Sequence, residues 1–240
     1  HYKQNGGLTM TRYLFLFTIG PVQTFIAQAR KTRDLFVGSY ILSKLIRKAI
    51  EKLNNEKILT ELIFPSLNVH SISDNQPVPN RFIAVLETDN IKKVGQELSQ
   101  FVKDIYIKKS MEIIEKYGLP RNNVPDFYKD AEEQLKNFLH INWVSLPFFQ
   151  NQYRQIYGEI EQLLGGIKNI RIFKQLDELS GRKCSICGER NALLYKGNPD
   201  RFHKNAFPLK GNISINLTEG EGLCSICFVK RSYESKKQER

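Results

Sequence analysis

Between Phe17 and Tyr40 the chain reads FTIGPVQTFIAQARKTRDLFVGSY, and this run restricts the fold more than any other part of the sequence. The apolar residues Tyr13, Leu14, Phe15, Leu16 and Phe17 predict a buried strand that stops at Gly20-Pro21, where an amphipathic helix starts at once. Val22, Phe25, Ile26 and Ala29 recur at helical spacing, the stripe of a helix laid on a sheet, and Pro21 suits a first helical turn. A loop is expected from Arg30 to Gly38, carrying Arg30, Lys31, Arg33 and Asp34. Ser39 is the expected cap of a second helix, whose apolar positions are Ile41, Leu42, Leu45, Ile46, Ala49, Ile50 and Leu53. A strand that feeds a helix and then a cluster of cations is suited to holding phosphates, because guanidinium forks match phosphate oxygens. Asp34 among these cations reads as an ion-pair partner that orients Arg30 or Arg33 rather than as a catalytic acid.

The next elements complete a pattern. Strands are expected over Glu61 to Leu67 and Arg81 to Glu87, joined by the turn-rich SISDNQPVPN. Helices are expected over Asn90 to Tyr117 and Ala131 to Phe138, and a last strand over Ile141 to Phe148. Strand, helix, strand, strand, helix, strand is the ferredoxin-like βαββαβ plan of the α+β class, used by polymerase palms, nucleotide cyclases and many unrelated proteins. The expected division is a linker or cloning remnant over 1–11, a first palm-like domain over 12–149, a helical linker over 150–180 interrupted by a turn at Gly165-Gly166, and a metal-binding module over 181–240.

All four cysteines fall in two identical words, Cys184-Ser185-Ile186-Cys187 and Cys224-Ser225-Ile226-Cys227. Two residues between thiolates let both sulfurs reach one ion, and a tetrahedral Zn²⁺ takes two such pairs. Gly188 follows the first pair, where a knuckle benefits from left-handed backbone. The second pair begins an expected helix, Phe228 to Lys237, in a treble-clef-like arrangement. Two disulfides or a redox CxxC explain the paired words less well. Four thiolates leave no open position, so the expected role of the zinc is structural.

The formal charge of +11 favours a polyanionic partner, and a four-thiolate zinc site leaves a clear cationic excess. The basic residues are spread out: Arg30 to Arg33, Lys44 to Lys48, Arg182 and Lys183, and the tail from Lys230 to Arg240. A solvated basic surface or a subunit interface is the competing reading. No apolar run approaches the ~20 residues of a membrane helix, and no secretory pattern opens the chain; a cytoplasmic location is expected. There is no Walker phosphate loop, no GxGxxG and no adjacent His-Asp dyad. His70, His140 and His203 lack partners at metal-ligand spacing, although His203 lies between the knuckles as a spare ligand.

The Phe17 to Tyr40 block closely resembles the large palm-domain subunit of type III CRISPR effector complexes in its type III-B (Cmr) form. The family usually has Ser at Thr24, Trp at Phe36 and Ala at Val37. The paired CxxC module after the palm fits too, so the resemblance covers roughly residues 12 to 230. It implies two palm-like domains in the whole protein. The second carries a Gly-Gly-Asp-Asp turn that holds divalent metal and joins ATP into cyclic oligoadenylate when target RNA is bound; many members add an HD nuclease domain. These 240 residues contain neither element, so the chain by itself is expected not to be catalytic. The resemblance implies a scaffolding role against other Cmr subunits, guide RNA and target RNA. The local pattern places a nucleotide or RNA face at Gln23, Arg30, Lys31, Arg33, Ser39 and Tyr40, against the alternative that this loop packs on the zinc module or a partner.

Two other functions compete. A free-standing cyclase or polymerase palm needs paired carboxylates for Mg²⁺, and only Glu87 and Asp89, or Asp74 between the second and third strands, are on offer. A generic zinc-containing RNA-binding module accounts for charge and cysteines but not for the palm pattern.

Overall fold

Leu14 to Ile19 are six consecutive buried residues, and they form the middle of a ten-residue strand, β1 (Thr11–Gly20). A computed structural model of the chain describes residues 10–69, 76–117, 121–169, 180–209 and 217–233. After β1 come α1 (Gln23–Ala27), α2 (Thr32–Asn55), β2 (Leu59–Phe64), β3 (Arg81–Thr88), α3 (Ile91–Tyr117), α4 (Pro125–Lys136), β4 (His140–Pro147) and α5 (Tyr153–Asn169). The cysteine region adds β5 (Leu194–Tyr195), β6 (Phe207–Pro208), β7 (Gly222–Leu223) and α6 (Ser225–Ser232). The result is a mixed α+β structure. Residues 1–9 of the remnant expected over 1–11, His70, Asp74, the stretch 170–179 and the tail after 233 lie outside the described residues, while Thr11 opens β1.

The larger sheet has the strand order β2-β3-β1-β4. β1 and β3 pair antiparallel, with Leu14 opposite Val85, Leu16 opposite Ile83 and Phe17 opposite Phe82. β2 pairs antiparallel with β3 through an irregular register. The Phe148 N–H donates to the Arg12 carbonyl at 2.9 Å, joining the end of β4 to the start of β1.

Alternation along the strands loads both faces. On one, Leu14, Leu16, Ile83, Val85 and Val144 pack with Ile156, Ile160 and Leu164 of α5. On the other, Phe15 stacks on Trp143 at 5.8 Å and Phe17 on Phe82 at 5.4 Å. Gly95 of α3 meets that second face: a Cβ there would lie 2.4 Å from the Trp143 ring. Two apolar faces explain why β1 shows no polar alternation.

Two compact units emerge, each drawn from separated stretches. One comprises residues 1–19, 43–102 and 141–171, and the other 20–42, 103–140 and 172–240. α2 and α3 contribute residues to both.

Two local expectations are corrected. The loop expected from Arg30 to Gly38 is mostly helix, since α2 starts at Thr32 and Ser39 lies inside it rather than capping it. The reason is periodic burial reaching back to the first turn: Asp34, Val37, Ile41, Leu45 and Ile46 are all buried. Gly38 sits on that buried face, where an added Cβ would approach the Ile26 Cα at 3.5 Å, so it serves close packing and not a turn. Likewise α5 runs unbroken through Gly165-Gly166. The buried stripe Ile156, Ile160 and Leu164 holds the helix, while both glycines face open space. The described part of the expected linker is therefore a helix bound to the sheet.

Candidate metal centre and the basic turn beside it

The four cysteines converge within the second unit. Their sulfurs all lie within 4.8 Å of one another, and they form the one cluster of three or more potential metal ligands among the described residues. Cys184, Cys224 and Cys227 are buried and Cys187 half-buried. The Cys187 and Cys224 sulfurs stand 3.8 Å apart. A disulfide needs about 2.05 Å, whereas a tetrahedron of sulfurs ~2.3 Å from a metal has edges of about 3.8 Å. The donor set and its spacing fit a closed four-thiolate metal site, which leaves no position for a substrate.

Local backbone builds each half. In the first knuckle the Gly188 N–H donates to the Cys184 carbonyl at 2.9 Å, and Gly188 has φ +67°, in keeping with its place after the pair. In the second, Cys224 caps α6, its sulfur accepting from the Cys227 N–H at 3.5 Å. The Ser185 N–H donates to the Gly222 carbonyl at 2.8 Å, and the Gly222 N–H to the Ser185 hydroxyl at 3.1 Å, tying the knuckles together. Gln134 of α4 accepts from the Ser225 N–H and donates to the Asn191 carbonyl, both at 2.9 Å. Phe138, Phe25 and Tyr106 form an aromatic group, with the Arg190 guanidinium 5.6 Å above the Phe138 ring.

Burial pushes the Cys224 thiol well up, while hydrogen bonds from Cys184, Cys224 and Cys227 hold Cys187 far down.

His203 is not a ligand. It is buried, and its Nδ1 accepts from the Asn205 N–H at 3.3 Å, while Asn205 donates to Asp130 of α4 at 2.8 Å. His140 is exposed at the start of β4.

The six residues expected to face nucleotide or RNA all fall on α1, α2 and the turn between them. Gln23, Arg30, Lys31, Arg33 and Ser39 are exposed and Tyr40 half-buried. Phe36 is exposed and stacks on Tyr40 with centroids 6.2 Å apart. Asp34 does not orient the Arg30 or Arg33 side chains. Its carboxylate is buried, accepts from Arg231 of α6 at 3.2 Å and from the Arg30 backbone N–H at 3.4 Å. Arg231 also donates to Glu221 at 3.1 Å, and Arg30 lies 3.6 Å from the same carboxylate. Arg33 donates to the Tyr233 carbonyl at 3.2 Å.

Lys230 is the residue that sequence reasoning missed. Its place in the chain suggests a solvated basic tail, yet it is fully buried. Its ammonium donates to the Phe25 carbonyl at 2.6 Å and to the Gln28 carbonyl, and lies 4.9 Å from the Phe25 ring centroid. Burial lowers its pKa from the ordinary lysine value. Among the sequence signals, only its position one turn beyond Cys227 on an expected helix pointed inward.

Glu87 and Asp89, the carboxylates of the cyclase alternative, are both exposed and belong to no metal-ligand cluster among the described residues.

Fold and site together define a class: an α+β protein with a closed four-cysteine metal centre buttressing a basic helix junction. Residues 14–136 match the family of the CRISPR-associated protein Cmr2, N-terminal, and residues 177–230 match the CRISPR-associated CXXC-CXXC family. The chain belongs to the Cmr2 N-terminal family. The CRISPR system Cmr subunit Cmr2 of Pyrococcus furiosus is 23% identical over 278 residues, a match covering 92% of this chain and 31% of that protein. Among solved structures, the apo state of a type III-B Cmr-beta complex is similar at a TM-score of 0.61 and 20% identity, over 94% of this chain and 32% of the other. The same kind of complex bound to cognate target RNA is similar at a TM-score of 0.57 and 20% identity, again over 94% of this chain and 32% of the other. The chain thus spans about a third of the length of these relatives. No described helix is long and apolar enough to cross a membrane.

Proposed function

We propose that these residues form the first palm and zinc region of the large subunit of a type III-B Cmr effector complex, a scaffold whose partners are other Cmr subunits, guide RNA and target RNA. The family match over residues 14–136 carries this reading. The ferredoxin-like palm assignment is supported by the strand order β4-β1-β3-β2, which is the order of a βαββαβ sheet. Zinc is supported by the all-sulfur donor set gathered within 4.8 Å, and its role is to hold the module together. The division into a palm over 12–149, a helical segment over 150–180 and a treble-clef-like module from 181 is part of the same reading. A cytoplasmic location is part of the same reading, since cysteines kept as metal ligands rather than disulfides suit a reducing compartment.

Gln23, Arg30, Lys31, Arg33, Ser39 and Tyr40 form the nucleotide or RNA face. Three exposed cations beside the Phe36–Tyr40 stack support it, since cations meet phosphates and aromatic planes meet bases. Joining ATP into oligoadenylate belongs to a second palm with its own carboxylates and divalent metal, and this region contributes surface rather than catalytic groups.

The test is single-stranded RNA binding by the 240-residue chain against salt. Replacing Arg30, Lys31 and Arg33 together by Ala is expected to weaken binding and flatten the salt slope by up to ~0.7 for each phosphate no longer neutralised. Unchanged affinity and slope would assign the turn to protein packing instead. Elemental analysis is expected to find about one zinc per chain. Incubation with ATP and Mg²⁺ or Mn²⁺ is expected to give no oligoadenylate, and robust product would restore the free-standing cyclase.

A further inference from the structure

The turn that carries Arg30, Lys31 and Arg33 is secured by a helix rooted in the cysteine cluster. α1 has only five residues, and carbonyls in the last turn of any helix lack the intrahelical donors that its interior has. Lys230 serves the carbonyls of this end of the chain, donating to Phe25 and Gln28. Beyond the turn, Arg231 holds Asp34 in the first turn of α2, and Arg33 reaches the Tyr233 carbonyl. Residues 230–233 therefore meet the turn on both sides. Gly38 packs against the same lysine, with its would-be Cβ 3.4 Å from the Lys230 Cδ.

These interactions depend on α6 keeping its place. α6 has eight residues, below the length at which a helix is stable alone in water. Cys224 caps it, Cys227 lies in its first turn, and Lys230 and Arg231 follow one turn later. Anything that fixes both sulfurs fixes the phase of the two cations.

We infer that Lys230 and Arg231 are positioning residues which make the order of the α1–α2 turn depend on occupancy of the four-cysteine centre. Loss of the ion frees the start of α6, the buried cations lose their register, and the two carbonyls and Asp34 lose their donors. The basic turn then loosens while the β1–β3 pair, in the other unit, keeps its own core. This rests on the metal reading of the cysteines and needs no assumption about RNA.

Hydrogen exchange read by mass spectrometry tests it on the 240-residue chain, zinc-loaded, chelated and zinc-restored, with metal content measured in each sample. The reporter is residues 23–34 and the control residues 82–87. Chelation is expected to speed exchange in the reporter on the order of tenfold or more, reversibly, with the control protected. Lys230→Met and Arg231→Met are expected to retain zinc and still show fast reporter exchange. Zinc lost with reporter protection unchanged overturns the inference alone, as do variants that keep both zinc and protection. Equal acceleration at 82–87 also overturns it, because the ion would then hold the whole fold. Absence of zinc from the starting protein overturns the metal reading and this inference with it.

Discussion

Asp34 and Arg231 are 197 positions apart, yet carboxylate and guanidinium meet at 3.2 Å with side chains only 1% and 6% exposed. Removing one member of such a pair leaves a buried charge without its partner, at a cost of about 3–5 kcal/mol. Asp34→Ala is therefore expected to lower the denaturant midpoint strongly. Asp34→Leu combined with Arg231→Leu is expected to cost less than the sum of the single changes, as a double-mutant cycle by urea unfolding will show.

Glu221 supplies the pH dependence. Burial acts to raise its pKa, but the Thr218 N–H at 3.1 Å and the Arg231 guanidinium outweigh it and hold the carboxyl below its ordinary value of 4.5. On acidification the unfolded chain takes up this proton first. The stabilisation is thus complete above about pH 5 and is lost as pH falls through the depressed native value. The Tm difference between wild type and Glu221→Gln is expected to be constant near neutrality and to shrink below about pH 4.5. A difference that grows with acid would reverse the assignment.

Glycines with equal helix propensity are expected to respond in opposite directions. At Gly95 a methyl would sit 2.4 Å from the Trp143 ring, so Gly95→Ala is expected to destabilise by about 1–3 kcal/mol despite the gain in helix propensity. Nothing lies within 4 Å of a Cβ at Gly166, so Gly166→Ala is expected to stabilise by about 0.5–1 kcal/mol. Thermal unfolding of the two variants separates packing from propensity.

α5 is tested by one buried and one exposed position. Ile160 is fully buried against the sheet face, and Ile160→Ala is expected to cost about 2–5 kcal/mol through the cavity it leaves. Leu163 is 46% exposed on the same helix, and Leu163→Ala is expected to stay within about 0.5 kcal/mol. Equal costs, measured by urea unfolding, would contradict the packing of α5 on the sheet.

What could be read along the chain was whatever its neighbours in sequence enforce. The apolar run in β1, the helical stripe from Ile41 to Leu53 and the spacing within each CxxC pair are short-range patterns, and each led to the element observed. The start of α2 was misplaced because turn-like residues, Gly38 and Ser39, lie in a helix whose phase is set by burial of Asp34 and Val37. A polar residue on a buried face carries no local sign of its distant partner. For the same reason Lys230 and Arg231 read as solvated charge until α6, anchored at Cys224 and Cys227, turned them inward onto Phe25, Gln28 and Asp34. Local chemistry along the chain determined the elements and the ligand set; tertiary structure decided which charges are buried, because desolvation and pairing depend on partners some 200 residues away.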